Sequence, residues 1–399
     1  MEKVSAERAV RPRSVWVAAW MVTAVFILSN SATPLYVHWQ RGMGFSNGTL
    51  TLIFAAYIAG LLAALLVAGQ LSDRFGRKPV LFPGLAAAAL ACLLFIFATS
   101  VAELVAARLL TGIAVGAIVS AGMAAVVDVG GPQRRSLASL AASAAMVLGA
   151  GLGPLLAGAL AQTLAHPILP VFAAELAILG SAFAVAASLP GRQAGSRAAD
   201  RFRLRLPSVP AANRLHLIFG IAVFAPGLTA TSFILSLGPS LLSKLLAVNS
   251  PLVAGGTACL MFLTATGIQF ALKRLRIGTQ LLAGAASTVL AMLAAAAAVR
   301  VSSAPLLVLA AIFAGAGQGL GQLGGLTLIG LRVPERRRAE ANAVLNMGGY
   351  VPAAVLPVCA GYLIDAAGLA AGTTAFAAVL TAASLAAAGF VSVRLREKD

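Results

Sequence analysis

Charged residues are scarce in this chain of 399 residues, and acidic residues are the scarcest of them. Asp, Glu, Lys and Arg make up only 10% of the sequence, whereas a soluble domain averages about 25%. Hydrophobic residues make up 60%, and the mean hydropathy is +0.94. This composition excludes a soluble globular domain and leaves room for about a dozen membrane spans of roughly 20 residues each.

Histidine and cysteine are almost absent, with three of each. The histidines lie far apart at the ends of apolar runs, and the cysteines lie inside such runs without the paired spacing of a disulfide or a metal site. Membrane-embedded hydrolases and transferases need clusters of histidine or carboxylate, and no phosphate-cradling loop is present. We therefore expect no enzymatic activity, no metal and no cofactor. The residues concerned are His38, His166, His216, Cys92, Cys259 and Cys359.

The basic residues, which give a net charge of +17, are confined to the breaks between apolar runs, with one exception. A basic balance can indicate nucleic-acid binding. The positions argue otherwise, because they are those of charged turns between membrane helices. We expect a lipid bilayer around the chain and no nucleic-acid partner.

Twelve apolar runs are long enough to span a membrane, which predicts an all-α polytopic membrane protein. The first run follows Arg8, Arg11 and Arg13, as the apolar part of a signal peptide would. No convincing small-residue cleavage site follows it, so we expect an uncleaved first helix. The predicted spans are 15–37, 49–70, 79–99, 101–127, 137–163, 167–189, 214–243, 251–272, 279–299, 304–331, 339–364 and 369–392.

The distribution of positive charge predicts the orientation. Of the 29 Lys and Arg residues, 25 lie at the two termini or in the even-numbered breaks. The odd-numbered breaks contain only Arg41, Lys244 and Arg300, and Arg108 lies inside a span. Because positive loops are retained in the cytoplasm, we expect both termini and the even-numbered breaks to be cytoplasmic.

The sequence also contains a repeat. Pro132-Gln-Arg-Arg135 recurs as Pro334-Glu-Arg-Arg337, and the same offset of 202 carries Arg74-Phe-Gly76 onto Arg276-Ile-Gly278. Two turns that agree on one shift indicate a duplication of six spans, with both copies entering the membrane from the same side. We predict two pseudo-symmetric six-helix bundles, residues 1–189 and 214–399, joined by a cytoplasmic linker, 190–213.

The break after the second span, Gly69-Gln-Leu-Ser-Asp-Arg-Phe-Gly-Arg-Lys78, resembles the signature loop between helices 2 and 3 of the major facilitator superfamily of secondary transporters. That loop reads Gly-x-Leu-x-Asp-Arg-x-Gly-Arg-Lys. The resemblance implies the major facilitator fold, in which two six-helix halves rock about a central site. The matching residues are Gly69, Leu71, Asp73, Arg74, Gly76, Arg77 and Lys78.

By the same resemblance, Asp73, Arg77 and Asp128 form a charge network that closes the cytoplasmic side when the protein faces outward. The alternative is that these charges only fix the topology. Gly69 is expected to let a neighbouring helix approach closely, and Gly76 to permit the sharp turn.

Two ionisable residues well inside spans are candidates for proton coupling. Arg108 belongs to a run that resembles the family's helix 4 motif, whose arginine is associated with proton coupling; snorkelling to the outer surface is its alternative. Glu175 is the only acid well inside a span, although helix 6 is peripheral in this family. Glu103 and Asp365 lie near outer helix ends, where we expect them to be solvated.

The fifth span contains Gly149, Gly153, Pro154 and Gly158, in a pattern that resembles the family's antiporter motif. Pro154 bends the helix and the glycines allow close packing. This motif implies similarity to the 12-helix drug/proton antiporter group, although small-residue packing is common in membrane helices generally.

Neutral polar residues and one arginine inside the spans are the candidates for substrate contact. Hydrogen bonding between helices is the alternative for several of them. The candidates are Asn30, Tyr57, Arg108, Gln318, Gln322, Asn346 and Tyr350.

These observations together predict a secondary active transporter, functional as a monomer, in the cytoplasmic (inner) membrane of a bacterium. We expect proton-coupled export of small, partly apolar molecules or drugs. The alternative is a proton-coupled uptake symporter for a small metabolite.

Overall fold

The computed structural model describes residues 12–189, 213–244 and 247–396, and this part of the chain is helical apart from short connections. A 3₁₀ turn, Thr33–Leu35, joins α1 to α2, and a π-helical turn, Ile118–Gly122, joins α5 to α6. The α-helices are α1 (Pro12–Ser31), α2 (Tyr36–Met43), α3 (Asn47–Phe75), α4 (Lys78–Phe97), α5 (Val101–Ala117), α6 (Met123–Gly130), α7 (Arg135–Thr163), α8 (Ile168–Ser188), α9 (Arg214–Lys244), α10 (Pro251–Leu272), α11 (Ile277–Arg300), α12 (Ala304–Arg332), α13 (Arg338–Ala367) and α14 (Leu369–Arg396).

Within the described ranges, twelve helical segments are long and apolar enough to cross a membrane, which confirms the predicted number of spans. The first combines α1 and α2, and the fourth combines α5, the π-helical turn and α6. Every predicted span coincides with one of these segments to within a few residues at each end. The predicted linker lies outside the described residues except for Asn213.

The spans differ in how deeply they are buried. In the first span and in α9, 83% of the most apolar window is buried inside the protein, against 28% in α8 and 33% in α14. A helix that is apolar all round lies in the centre of a bundle or in contact with lipid. The first span and α9 are therefore central, and α8, the least buried of the described spans, is peripheral.

The connections lie at two faces, because each span runs antiparallel to the one before it. We call one the basic face, defined by the connections 76–77, 131–134, 273–276 and 333–337. The other, which we call the opposite face, carries the connections 44–46, 98–100, 164–167, 301–303 and 368.

The helices before residue 189 contact those after residue 213 mainly through two pairs, α3 with α13 and α7 with α10. The closest approaches use glycine. A Cβ on Gly255 would lie 2.8 Å from the carbonyl carbon of Pro154, and a Cβ on Gly361 would lie 2.9 Å from Cα of Gly48. The contacts at Gly48, Gly255 and Gly361 lie in the parts of their helices that are nearer to the opposite face.

Hydrogen bonds between these two groups of helices follow the same distribution. Among the described residues, all the side-chain hydrogen bonds that join them lie at the opposite face. They connect Arg41 with Ser243 and Asn249, Gln40 with Ser240, Gln162 with Ser250, and Asp365 with Asn47 and Gly48.

Candidate functional site

The charged loop at the basic face forms the predicted network. Arg77 donates from Nε to Asp128 Oδ2 and from Nη1 to Asp73 Oδ1, both at 3.0 Å, and Nη1 also donates to Ser72 Oγ at 2.8 Å. Gly76 makes the turn possible with a φ of +92°, in the region that favours glycine. The Arg77 side chain is 18% exposed, against 78% for Asp73 and 50% for Asp128.

Burial of Arg77 by itself lowers its pKa, because removal from water penalises the charged form. The hydrogen bonds and charges of Asp128, and then of Asp73, outweigh this effect and raise the pKa of Arg77. The guanidinium is therefore a fixed positive centre that holds the ends of α3 and α6 together. All three charged groups belong to the helices before residue 189.

The remaining residues of the loop lie outside this network. Arg74 lies over its neighbour Phe75, with 5.3 Å between Cζ and the ring centroid, and Lys78 Nζ donates to the carbonyl of Ala187 at 2.8 Å. The close approach predicted at Gly69 is wrong for this structure, because a Cβ there would meet nothing within 4 Å.

Arg108 is fully buried, without an acidic partner among the described residues. Its Nη1 donates to the carbonyl of Ser29 in α1 at 2.7 Å, while Nε and Nη2 have no hydrogen-bond partner. Its Cζ lies 4.7 Å from the ring centroid of Tyr57, 5.2 Å from that of Phe54 and 6.0 Å from that of Tyr36. Three aromatic faces thus stabilise the cation. The Arg108 side chain therefore does not extend to the outer surface, as the snorkelling alternative requires.

Glu175 is 4% exposed and faces the first span from α8. Its Oε1 accepts a hydrogen bond from Ser31 Oγ at 2.6 Å, and its Oε2 has no partner. Cys92, on α4, lies within electrostatic range of this carboxyl. Although α8 is peripheral, as the resemblance implied for helix 6, Glu175 points into the helices rather than towards lipid.

The two buried ionisable groups therefore meet the same short segment of α1. Arg108 contacts residue Ser29 and Glu175 contacts Ser31, so the segment Ser29–Ser31 lies between them. Asn30 forms no hydrogen bond with Arg108 or Glu175. Its side-chain amide donates instead to Ser29 Oγ at 2.9 Å. The 3₁₀ turn that interrupts the first span begins two residues later.

The small residues of α7 pack on two sides. Gly149 and Gly153 lie against the backbone of α1, at Thr23 and Ile27 respectively. Gly158 lies against the backbone of Pro251 in α10, while the carbonyl of Pro154 faces Gly255. The predicted close packing is therefore present, and α7 joins the first span to a helix from the other end of the chain.

The polar residues of the C-terminal helices form a half-buried group. Gln322 on α12 accepts a hydrogen bond from Gln269 on α10 at 3.3 Å, a contact between helices of the kind given above as the alternative to substrate contact. Gln318, Asn346 and Tyr350 are half-buried as well. The phenols of Tyr350 and Tyr57 are close enough to interact electrostatically, which links α13 to the aromatic residues around Arg108.

Comparison with known proteins identifies this arrangement. A family model described as the Major Facilitator Superfamily matches residues 15–296. The chain belongs to the Major Facilitator Superfamily. It is a multi-pass membrane protein of this transporter superfamily, whose members are not enzymes, and in the described part of the chain its fold is the all-α fold with twelve spans that the sequence predicted.

Relatives of this superfamily member match only in part. A triacylglyceride transporter of Mycolicibacterium hassiacum is 37% identical over 106 residues, which is 27% of this chain and 20% of that protein. The multidrug resistance protein MdtL of Escherichia coli is 36% identical over 91 residues, which is 23% of each chain. The chain thus spans between a fifth and a quarter of the length of these curated relatives.

Solved structures of other transporters share the fold over the whole chain. A mutant of the nucleoside transporter NupG superimposes with a TM-score of 0.72 at 13% identity, covering 96% of this chain and 99% of that one. A bacterial homologue of the lysosomal transporter Spinster, in an inward-facing and occupied conformation, gives 0.70 at 14% identity, covering 98% of both.

Proposed function

We propose that this superfamily member works by alternating access as a proton-coupled exporter of small, partly apolar molecules. The supporting observation is the distribution of contacts between the helices before residue 189 and those after residue 213. Their hydrogen bonds and glycine contacts lie at the opposite face, whereas the charged loop at the basic face binds only its own helices. In this proposal the two groups of helices are the six-helix bundles 1–189 and 214–399.

The basic face is cytoplasmic in this proposal, because the two termini and the even-numbered breaks, whose described connections define this face, hold 25 of the 29 Lys and Arg residues. The structure then represents an inward-facing state, as does the Spinster homologue of the same fold. Both termini would be cytoplasmic, and the membrane would be the inner membrane of a bacterium. The charge network of Asp73, Arg77 and Asp128 is preassembled here, ready to meet the C-terminal bundle when that side closes.

Proton coupling is proposed to use Glu175 and Arg108, because both are buried, incompletely hydrogen-bonded and in contact with one segment of α1. A nearby cation stabilises the ionised form of a carboxyl. A buried carboxyl without such a partner therefore takes up a proton more readily than one in an ion pair. Loss or gain of a proton at Glu175 would alter its bond to Ser31, two residues from the carbonyl that binds Arg108. The 3₁₀ turn within the first span is the structural element that this change would act on.

The substrate is proposed to lie between Tyr57 on one side and Gln318, Gln322, Asn346 and Tyr350 on the other. These side chains combine aromatic faces with neutral amide and phenol groups, which suits a partly apolar molecule with a few hydrogen-bonding groups. Asn30 contributes through Ser29 rather than by direct contact.

Export is favoured over uptake by the α7 pattern of Gly149, Gly153, Pro154 and Gly158 and by the partial relation to MdtL. The alternative, proton-coupled uptake of a small metabolite, takes its support from the fold shared with the nucleoside transporter NupG. The two directions are distinguished by inverted membrane vesicles with an acidic interior, supplied with ethidium or with uridine.

An exporter that exchanges protons for substrate accumulates the probe in such vesicles, and dissipation of the proton gradient abolishes the accumulation. Intact cells that carry the protein should then retain less of the same probe than cells that lack it. If deletion of the protein instead lowers the uptake of the probe by cells, the export proposal is wrong and the symporter remains.

A further inference from the structure

A cavity of about 850 Å³ opens at the basic face, away from the polar residues proposed to bind substrate. Its walls come from the ends of α3 and α6 and from the starts of α4 and α7. Three cationic side chains, Arg77, Lys78 and Arg135, line it together with one carboxylate, Asp128. Because Arg77 already binds Asp128, the cavity has a surplus of positive charge.

Two helices begin at this cavity. The first turn of α4 starts at Lys78 and that of α7 at Arg135, and neither helix has a side-chain cap at its N-terminus. The N-terminal end of a helix dipole attracts anions. In α4 the N–H groups of Val80 and Leu81 already bind the carbonyl of Arg77, and Pro79 has no N–H group, so the attraction comes from the dipole and the cationic side chains. Arg135 is exposed and has no acidic partner among the described residues.

The rest of the lining is apolar. Phe75, which is 57% exposed, Val127, Val129 and Leu189 complete the wall. Val129 and Leu189 also line a second cavity of about 300 Å³, which holds Arg13 at the start of α1. The two cavities therefore adjoin and together offer positive charge beside an apolar surface.

The depth of these cavities is that of a membrane interface. Trp16 and Trp20 are 48% and 39% exposed on α1, three and seven residues beyond Arg13, which is about 5 to 10 Å at 1.5 Å per residue. Exposed tryptophans on spanning helices mark the level of the lipid headgroups. Arg13 thus lies at headgroup depth, and Lys78 and Arg135 lie at the same face.

We propose that these cavities bind the headgroup of an anionic phospholipid from the leaflet at the basic face. The phosphate would lie between Arg135 and the first turn of α4, and the acyl chains would follow the apolar wall past Val129 and Leu189. Basic pockets between membrane helices are typical headgroup sites. A soluble phosphate would satisfy the charges but would leave the apolar wall unfilled.

The test is native mass spectrometry of the full-length protein titrated with phosphatidylglycerol or phosphatidylcholine, with Arg135→Gln as the variant. We expect retention of phosphatidylglycerol in preference to phosphatidylcholine. Removing one positive charge near a membrane surface should weaken the binding of phosphatidylglycerol by about fivefold. Arg300→Gln, which removes a positive charge at the opposite face, is the matched control and should not change it.

Three results would overturn the proposal. They are equal retention of the two lipids, an equal effect of Arg135→Gln and Arg300→Gln, and displacement of phosphatidylglycerol by soluble glycerol phosphate at similar concentration. The last result would identify a site for free phosphate instead of lipid. The thermal midpoint of each variant without added lipid shows whether it is folded, and Arg135 is exposed enough for the substitution to leave the fold intact.

Discussion

Asp365 at the end of α13 binds Asn47 at the start of α3 through both nitrogen atoms of Asn47. Its Oδ1 accepts from the backbone N–H at 2.9 Å and from Nδ2 at 3.0 Å, while its Oδ2 accepts from the N–H of Gly48 at 2.8 Å. The carboxylate therefore caps a helix that lies more than 300 residues away in the chain. Asp365 is exposed, as expected for a solvated acid, but it also joins α13 to α3.

A related contact lies on the other side of the molecule. Ser250, the N-cap of α10, donates to Gln162 Oε1 near the end of α7 at 2.7 Å. The sequence offset of 202 carries Gly48 onto Ser250 and nearly carries Gln162 onto Asp365. These two contacts, which are among those that close the opposite face, are thus counterparts, one charged and one neutral.

We expect Asp365→Asn to open the opposite face. The amide has only one acceptor oxygen, so at least one N–H group of α3 loses its partner, at a cost of about 1 kcal/mol for this exposed site, or about fivefold in population. Spin labels at Gly42 and Val301, with exposed Cys359 replaced, measure the distance across this face. A larger population at long distance is the expected result.

Glu103→Gln is the matched control for that experiment. Glu103 is also a carboxylate at the opposite face, but it accepts hydrogen bonds from Thr99 and Ser100 and so caps its own helix, α5. Its replacement should leave the distance distribution unchanged. If both variants shift the distance distribution equally, or neither does, Asp365 does not hold α3 and α13 together at the opposite face.

Arg108→Met should abolish transport without destabilising the protein. The side chain is fully buried with two of its nitrogen atoms unpartnered, and replacing such a charge by an apolar side chain of similar volume is often neutral or stabilising. The thermal midpoint should therefore stay the same or rise, while flux in proteoliposomes is lost.

Arg300→Met, at the opposite face, provides the comparison and should retain flux. Full flux in the Arg108→Met variant would reject the role proposed for this arginine. A lowered thermal midpoint together with lost flux would instead assign Arg108 to the fold.

The sequence predicted the twelve spans because a membrane helix must satisfy its backbone hydrogen bonds internally, so that apolar length alone reveals it. The network of Asp73, Arg77 and Asp128 was expected only from the resemblance to the superfamily's signature loop, because Asp128 lies 51 residues from Arg77 in the chain. The spans, by contrast, depend on composition alone.

The partners of Arg108 and Asp365 could not be predicted in this way. The carbonyl of Ser29 and the rings of Phe54 and Tyr57 come from helices 50 to 80 residues away. Which of these residues meet depends on how the helices pack together. Because the helices are apolar on most sides, the weak periodicity of their sequences does not specify that packing. The expectation for Gly69 failed for the same reason, since it required knowledge of which helices pack beside that glycine.

Glu175→Gln should separate exchange of substrate from its accumulation. The amide oxygen of glutamine can still accept the hydrogen bond from Ser31, so the contact with α1 persists, but the side chain can no longer gain or lose a proton. We expect exchange at equal pH to continue and accumulation driven by a proton gradient to be lost. Accumulation by the variant at the normal level would show that Glu175 does not carry the coupled proton.

Gly255→Ala should disrupt the packing of α7 against α10, whereas Gly256→Ala should not. A Cβ on Gly255 would lie 2.8 Å from the carbonyl carbon of Pro154 and 3.4 Å from Cα of Gly158, and backbone atoms cannot yield as a flexible side chain can. A Cβ on Gly256 would meet nothing within 4 Å. Overpacking of this kind costs about 1–3 kcal/mol.

That cost falls on the conformation in which the opposite face is closed, because α7 and α10 approach each other there. We therefore expect Gly255→Ala to lengthen the distance between labels at Gly42 and Val301, as Asp365→Asn does, while Gly256→Ala leaves it unchanged. If Gly255→Ala lowers the thermal midpoint without changing that distance, the close contact stabilises the fold in both conformations and does not select between them. Equal behaviour of the two alanine variants would show that the helices are not in close contact at Gly255.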